Sequence, residues 1–203
     1  MSIVIGLKHN DTIYLASDSQ ITTDGQRKYI NHSAHTKVWH PQNKPALVMG
    51  SVGWVRERNI AQTASSLFGK NEEDSITHIG YQFLITHTIP ELITLLEANK
   101  ALKDTKDTLR VSNNYLIGVQ DKLYELGTDL SLIEIDRYTA IGSGAVEAIS
   151  YLDSIVITDP RVALLKAMTI AKKRHVFIDF PVIIAHTNDL KVEVYHSKEE
   201  YCE

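Results

Sequence analysis

Residues 3–18 admit few folds. An apolar run, Ile3-Val4-Ile5-Gly6-Leu7-Lys8, is followed across Asn10-Asp11 by its return, Thr12-Ile13-Tyr14-Leu15-Ala16-Ser17-Asp18. Ile3, Ile5 and Leu7 fall on one face of an extended strand and Val4 and Gly6 on the other, so the strand needs cover on both sides. If Asn10-Asp11 are the two loop residues of a hairpin, His9 faces Thr12, Ile3 faces Asp18 and Ser2 faces Ser19. A serine at the chain end then lies beside a carboxylate at a strand end, with Asp18 on the face of Ile3 and able to support Ser2 only from beside or below.

Ser2 follows the initiator methionine, which is normally removed when the next residue is this small. The trimmed chain carries a hydroxyl and a free α-amine on one residue. An α-amine titrates near 7.7–8.0, against roughly 10.4 for a lysine, so near neutral pH part of it is free base. Nucleophile and base can then be a single residue. Retention of Met1, or acetylation of the new terminus, would turn that amine into an amide and leave an ordinary strand start.

Composition narrows the setting. With 203 residues, 43% hydrophobic, 23% charged and a net charge of −4, the chain reads as one domain, 1–203, with a substantial core. No apolar run approaches the roughly 20 residues of a spanning helix, and the first residues lack a signal-peptide pattern, so no membrane is expected and the location is cytoplasmic. The single cysteine, Cys202, lies in an acidic tail, which excludes an intramolecular disulfide and argues against a thiol nucleophile. His32, His35 and His40 lack metal-site spacing, so neither a metal nor a cofactor is expected. The mildly acidic balance gives no footprint for nucleic acid.

Residues 21–34 read as a polar loop turning at Thr22-Thr23-Asp24-Gly25, before a short strand over Thr36-Lys37-Val38-Trp39. Pro45 to Gly50 is a buried strand ending at glycine. Ile60, Ala61, Ala64, Leu67 and Phe68 lie on one helical face that Gly69 ends, and Asp74 or Ser75 caps a second helix toward Asn99, kinked or divided by Pro90. A charged linker, residues 100–110, leads to period-two strands over Tyr115–Val119, Lys122–Leu126 and Leu130–Ile135. Ala140-Ile141-Gly142-Ser143-Gly144-Ala145 passes from strand to helix. Asp159-Pro160 starts a helix to about Arg174, and Val182–Ala185 with Val192–Tyr195 form a last hairpin. This order implies a layered α+β fold with helices covering sheets.

Taken in order, Ser2-Ile3-Val4, Ala16-Ser17-Asp18-Ser19-Gln20, Lys37-Val38, Met49-Gly50 and Ala140-Ile141-Gly142-Ser143-Gly144 resemble the proteasome β-subunit family, and within it most nearly the HslV peptidase and Anbu-type proteins. The resemblance implies an N-terminal-nucleophile hydrolase, an αββα sandwich of two stacked antiparallel sheets between helix layers. It also implies a homo-oligomeric ring enclosing sites that cleave peptide or unfolded-protein substrate, with an ATPase unfoldase as a candidate partner.

Ser2 matches the family's terminal threonine, keeping the hydroxyl and losing the methyl that restrains it. Lys37 matches the lysine whose ammonium disfavours protonation of the terminal amine, and Asp18 the aspartate that pairs with it. Gly50 matches the glycine whose backbone N–H donates to the oxyanion, and Ser143 the serine near the amine. By residue type alone, Lys37 also suits a surface ion pair, Asp18 a turn cap, Gly50 a strand end and Ser143 a helix cap. Trp39 and Val48 fall near family positions that line the specificity pocket and carry no charge, which predicts an apolar residue at the cleaved bond. The family's Asp-x-x-Ser pair before the last hairpin is absent, with Asp179 near the serine position. Two other functions fit the same residues: a catalytically silent scaffold or binding subunit, and a small-amide hydrolase.

Overall fold

The computed structural model describes residues 2–23, 26–29, 36–69, 76–105 and 108–197. Strands β1 (Ile3–His9) and β2 (Thr12–Asp18) pair antiparallel with His9 opposite Thr12 and Val4 opposite Ser17. That is the register a two-residue loop demands, and Asn10 and Asp11 hold the positive φ values (47° and 58°) that such a loop requires.

Two five-stranded antiparallel sheets stack on each other. The first has the order β12-β1-β2-β13-β14, with β12 over Tyr138–Gly142, β13 over Val182–His186 and β14 over Val192–Tyr195. The second has the order β11-β10-β9-β6-β5, with β5 Val38–Trp39, β6 Leu47–Val52, β9 Asn114–Val119, β10 Lys122–Leu126 and β11 Leu132–Ile135. Val4, Ile13, Leu15, Val38, Val48, Leu116, Leu123 and Ile183 fill the space between them.

The outer face of the first sheet carries Ile3, Ile5 and Leu7. It packs on helices α4 (Ala145–Asp153) and α5 (Pro160–Arg174) through Leu152, Leu164, Leu165 and Met168. The outer face of the second is covered by α1 (Val55–Thr63) and α3 (Ile89–Ala98), with Ala61, Leu92 and Leu96 against Met49, Tyr115 and Ile117. The two-sided apolar pattern of β1 is thus accounted for: one face meets helices, the other meets a sheet. Each such aliphatic side chain, 0–1% exposed, contributes roughly 1.5–3 kcal/mol by burial. The expected αββα sandwich is the observed fold.

Asp159 caps α5 through the N–H groups of Arg161 and Val162, as the Asp-Pro pair predicts. Several local expectations need correction. The loop expected over residues 21–34 contains a hairpin, β3 (Gln20–Thr23) with β4 (Gln26–Tyr29), and the linker over 100–110 contains another, β7 (Lys103–Thr105) with β8 (Thr108–Arg110). Polar ribbons carry no apolar alternation to betray them.

Helix α1 begins at Val55 and ends at Thr63, while Leu67 and Phe68 are buried beyond it. β6 runs through Gly50 to Val52. Ahead of Pro90 the helix widens into a π turn, Leu84–Thr88, between α2 (Tyr81–Phe83) and α3. A ring with no N–H removes one helical bond and crowds the preceding turn, which a wider turn relieves. Asp74 and Ser75, expected as caps, lie outside the described residues.

Candidate active site

Ser2 is half-buried at the entry to β1. Its carbonyl accepts the Ser143 N–H at 2.9 Å, where β12 hands over to α4. Gly142 holds φ at +96°, and a Cβ there would stand 2.1 Å from the Ser2 carbonyl oxygen, so this junction tolerates only glycine. The peptide group that joins Ser2 to β1 is therefore clamped between the ends of β2 and β12.

Asp18, at the end of β2, is fully buried. Its Oδ1 accepts the N–H of Ile3 (3.0 Å), the peptide group that follows Ser2, and its Oδ2 accepts the N–H of Gln20 (3.1 Å). The same Oδ1 receives Lys37 Nζ at 2.7 Å, and Nζ also donates to the Gln20 carbonyl at 2.6 Å. Both side chains are 0% exposed. Burial lowers the Lys37 pKa from 10.5 to about 8, against the pull of Asp18, and the cationic Arg58 lowers it further. Burial likewise raises Asp18, opposed by the Lys37 ammonium and the two backbone N–H groups. Asp18 does cap the turn at Gln20, but a surface ion pair does not describe Lys37, which is sealed against it.

Ser143 reaches the site through its backbone. It does not cap α4, whose N-cap is Gly144 in the left-handed region. Gly50 does not offer the backbone access expected of an oxyanion donor. It is buried inside β6, where a Cβ would strike Val4 Cγ1 (2.8 Å) and Val38 Cγ1 (3.0 Å), so the glycine there lets two sheets approach. The exposed glycine of this segment is Gly53, just past the end of β6, with φ +136°.

Val48 lies between the sheets, whereas Trp39 lies on the outer face under α1, so the two do not line one pocket. Asp179 accepts from Lys172 Nζ and, at 2.8 Å, from the N–H of Phe180, while its carbonyl receives the Ser19 N–H at 3.3 Å.

Sequence reading missed the charged pair at the start of α1. Glu57 is 0% exposed and accepts from the N–H groups of Ser112 (2.7 Å) and Asn113 (3.0 Å) and from the Tyr115 hydroxyl (2.8 Å). These bonds dock α1 on the entry to β9, and burial beside Glu57 pushes the Tyr115 hydroxyl well up. Arg58, next to it, is 5% exposed. The only signal in the sequence was a Glu-Arg pair where the helix should have turned an apolar face inward.

No family model matches the chain, and no curated protein matches it in sequence. Solved structures do match. The BPH protein of Thiobacillus denitrificans superposes with a TM-score of 0.71 at 17% identity, over 93% of this chain and 98% of its own, and is also solved in complex with epoxomicin. HslV from Trypanosoma brucei gives 0.62 at 18% identity over 91% and 98%. Anbu from Yersinia bercovieri gives 0.70 at 13% over 98% and 89%. Identities this low speak to the fold alone, and the same stacked sheets are found throughout. The chain has the fold of HslV and Anbu.

Proposed function

We propose that the chain is a proteasome-like peptidase subunit that works from Ser2 once Met1 has been removed. One observation carries this reading: a sealed Lys37–Asp18 pair is hydrogen-bonded, through Asp18, to the peptide N–H that follows Ser2. A buried ion pair is weak evidence for stability, since desolvation offsets its attraction, whereas an ammonium depressed to about 8 beside a chain terminus suits proton transfer. In the proposed reaction the α-amine takes the Ser2 hydroxyl proton, Oγ adds to the substrate carbonyl, and the proton passes to the departing amine. The acyl ester left on Ser2 is released by water, with the α-amine again acting as base.

The Lys37 ammonium keeps the α-amine unprotonated and offsets the developing negative charge. The exposed backbone of Gly53, rather than Gly50, is assigned to the oxyanion; Val52 beside it lies next to Gly142 and so next to Ser2. Assembly into a ring, an ATPase partner and a cytoplasmic setting belong to the same proposal, with the likeness to HslV as their support. Among the described residues no helix is long and apolar enough to cross a membrane.

The test is mass spectrometry after exposure to a peptide epoxyketone, which reacts with a terminal amine and its hydroxyl together. Trimmed protein should gain one adduct on Ser2, and protein retaining Met1 none. Ser2→Ala should abolish peptide turnover while leaving assembly intact. Turnover by protein whose mass still includes Met1 would overturn the mechanism. Fully trimmed protein with neither adduct nor turnover would instead support the silent scaffold, the reading that the absent Asp-x-x-Ser pair and the engagement of Asp179 with Lys172 favour.

A further inference from the structure

The outer face of β5–β6 holds hydrogen-bond donors that find no partner among the described residues. Lys37 stands opposite Ser51, whose N–H donates to the Lys37 carbonyl at 3.0 Å, and strand alternation puts Lys37, Trp39, Met49 and Ser51 on the face that α1 covers. Helix α1 is located over it twice: Ala61 packs with Trp39 and Met49, and Gln62 Nε2 donates to the Thr36 carbonyl at 2.5 Å. Arg58 is three residues before Ala61 and four before Gln62, so it shares their side of the helix, one turn nearer the helix start. Its charge lowers the Lys37 pKa and is itself favoured by Asp18, which puts the guanidinium near the pair beside Ser2.

Three donors on this face are buried and, among the described residues, unpartnered: Arg58 Nε, the Trp39 indole Nε1 and the Ser51 hydroxyl. Among the described residues Arg58 makes no ion pair, because Asp18 is taken by Lys37 and Glu57 by Ser112, Asn113 and Tyr115. An arginine that is 5% exposed and makes no ion pair is costly to hold, and the nearby Asp18 charge offsets its burial only in part. The cost falls when an anion enters. Donors alone, with one fixed positive charge and a planar fork, fit a carboxylate.

We propose that Arg58, with Trp39 and Ser51, receives the substrate side chain on the acyl side of the cleaved bond, and that this side chain is the carboxylate of Asp or Glu. The proposal rests on the assignment of Ser2 as nucleophile, and it replaces the apolar preference that Trp39 and Val48 predict from sequence.

Binding separates the two claims. Assembled Ser2→Ala protein, which cannot turn over, is titrated with N-acetyl tripeptides Ala-Ala-Glu, Ala-Ala-Gln and Ala-Ala-Leu, which differ in one side chain. The Glu peptide should bind about tenfold or more tightly than the other two, as expected for hydrogen bonds to a charged group. Arg58→Met, checked for assembly and thermal melting, should erase that gap, and Arg58→Lys should retain part of it. A Leu or Gln peptide binding as tightly as the Glu peptide would overturn the proposal, as would no detectable Glu-peptide binding or a gap that survives Arg58→Met. With Ser2 intact, the ratio of cleavage after Glu to cleavage after Leu should fall about tenfold in Arg58→Met. If the epoxyketone leaves Ser2 unmodified, the nucleophile assignment fails, while the peptide titration still decides what Arg58 binds.

Discussion

Lys37 and Asp18 are the residues on which stability and proposed activity meet. Removing one member of a sealed pair leaves the other charged and unmatched, so Lys37→Met should destabilise the fold by about 3–5 kcal/mol in chemical denaturation. The double variant Lys37→Met/Asp18→Asn should recover part of that loss, because the neutral amide that replaces the carboxylate can still accept from a backbone N–H. A Lys37→Met variant as stable as the parent would contradict the sealed geometry. The pH dependence follows from a lysine lowered from 10.5 to about 8. Between those values the unfolded chain holds a proton that the folded chain has released, so this group's contribution to stability rises with pH across that window. Activity that needs the ammonium moves the other way, falling about tenfold per pH unit above 8. A kcat/KM profile set beside a melting curve over pH 7–10 checks both directions.

At the scale of elements, two glycines separate packing from site geometry. Gly50 sits where the sheets touch, and Gly50→Ala must push Val4 and Val38 aside, for about 1–3 kcal/mol of overpacking. Gly142→Ala strikes a backbone atom, the Ser2 carbonyl oxygen, at a φ that alanine rarely adopts. We expect Gly50→Ala to lower the melting temperature while still forming the Ser2 adduct at saturating epoxyketone, and Gly142→Ala to lose the adduct. Equal adduct formation in the two variants would show that the β12 tip does not position Ser2. The far end of the sandwich is held by Arg161 of α5. Its Nε and Nη2 donate to the two Glu193 oxygens of β14 at 2.7 and 2.8 Å, and its guanidinium lies 5.4 Å from the Tyr14 ring centroid. Carboxylate and ring together fix α5 across β2, β13 and β14.

For the whole molecule the prediction is assembly. Trp54, Tyr81, Ile133, Val146, Val156 and Val176 are 47–88% exposed and can supply apolar contacts between subunits of the proposed ring. Size-exclusion chromatography with light scattering should therefore give a mass several times the 22.8 kDa of one chain. A monomer at micromolar concentration would remove the enclosed-site argument. The Arg58→Met variant should assemble like the parent, since Arg58 is covered by its own subunit's α1 and sheet.

Local chemistry was enough to reveal a layered α+β fold with helices over sheets, while the stacking of two sheets between helix layers came from the resemblance to the proteasome β-subunit family. A strand apolar on both faces, an Asn-Asp loop that sets register by its length, an Asp-Pro helix start and period-two runs between turns each act over a few residues, and all are observed. Ser2 and Asp18 were legible for the same reason, because one hairpin count brings them together. The polar ribbons at 20–29 and 103–110 were not, since backbone pairing without burial leaves no periodicity to read. Gly50 and Gly53 could not be told apart by residue type. Which glycine is buried depends on Val4 and Val38, which meet it only when the two sheets close. Arg58 was invisible for a related reason: a helical Glu-Arg pair reads as a solvated face until a sheet is laid beneath it. Tertiary packing alone decides that Glu57 finds three donors while Arg58, one residue on, is buried near the Lys37–Asp18 pair and, among the described residues, makes no ion pair.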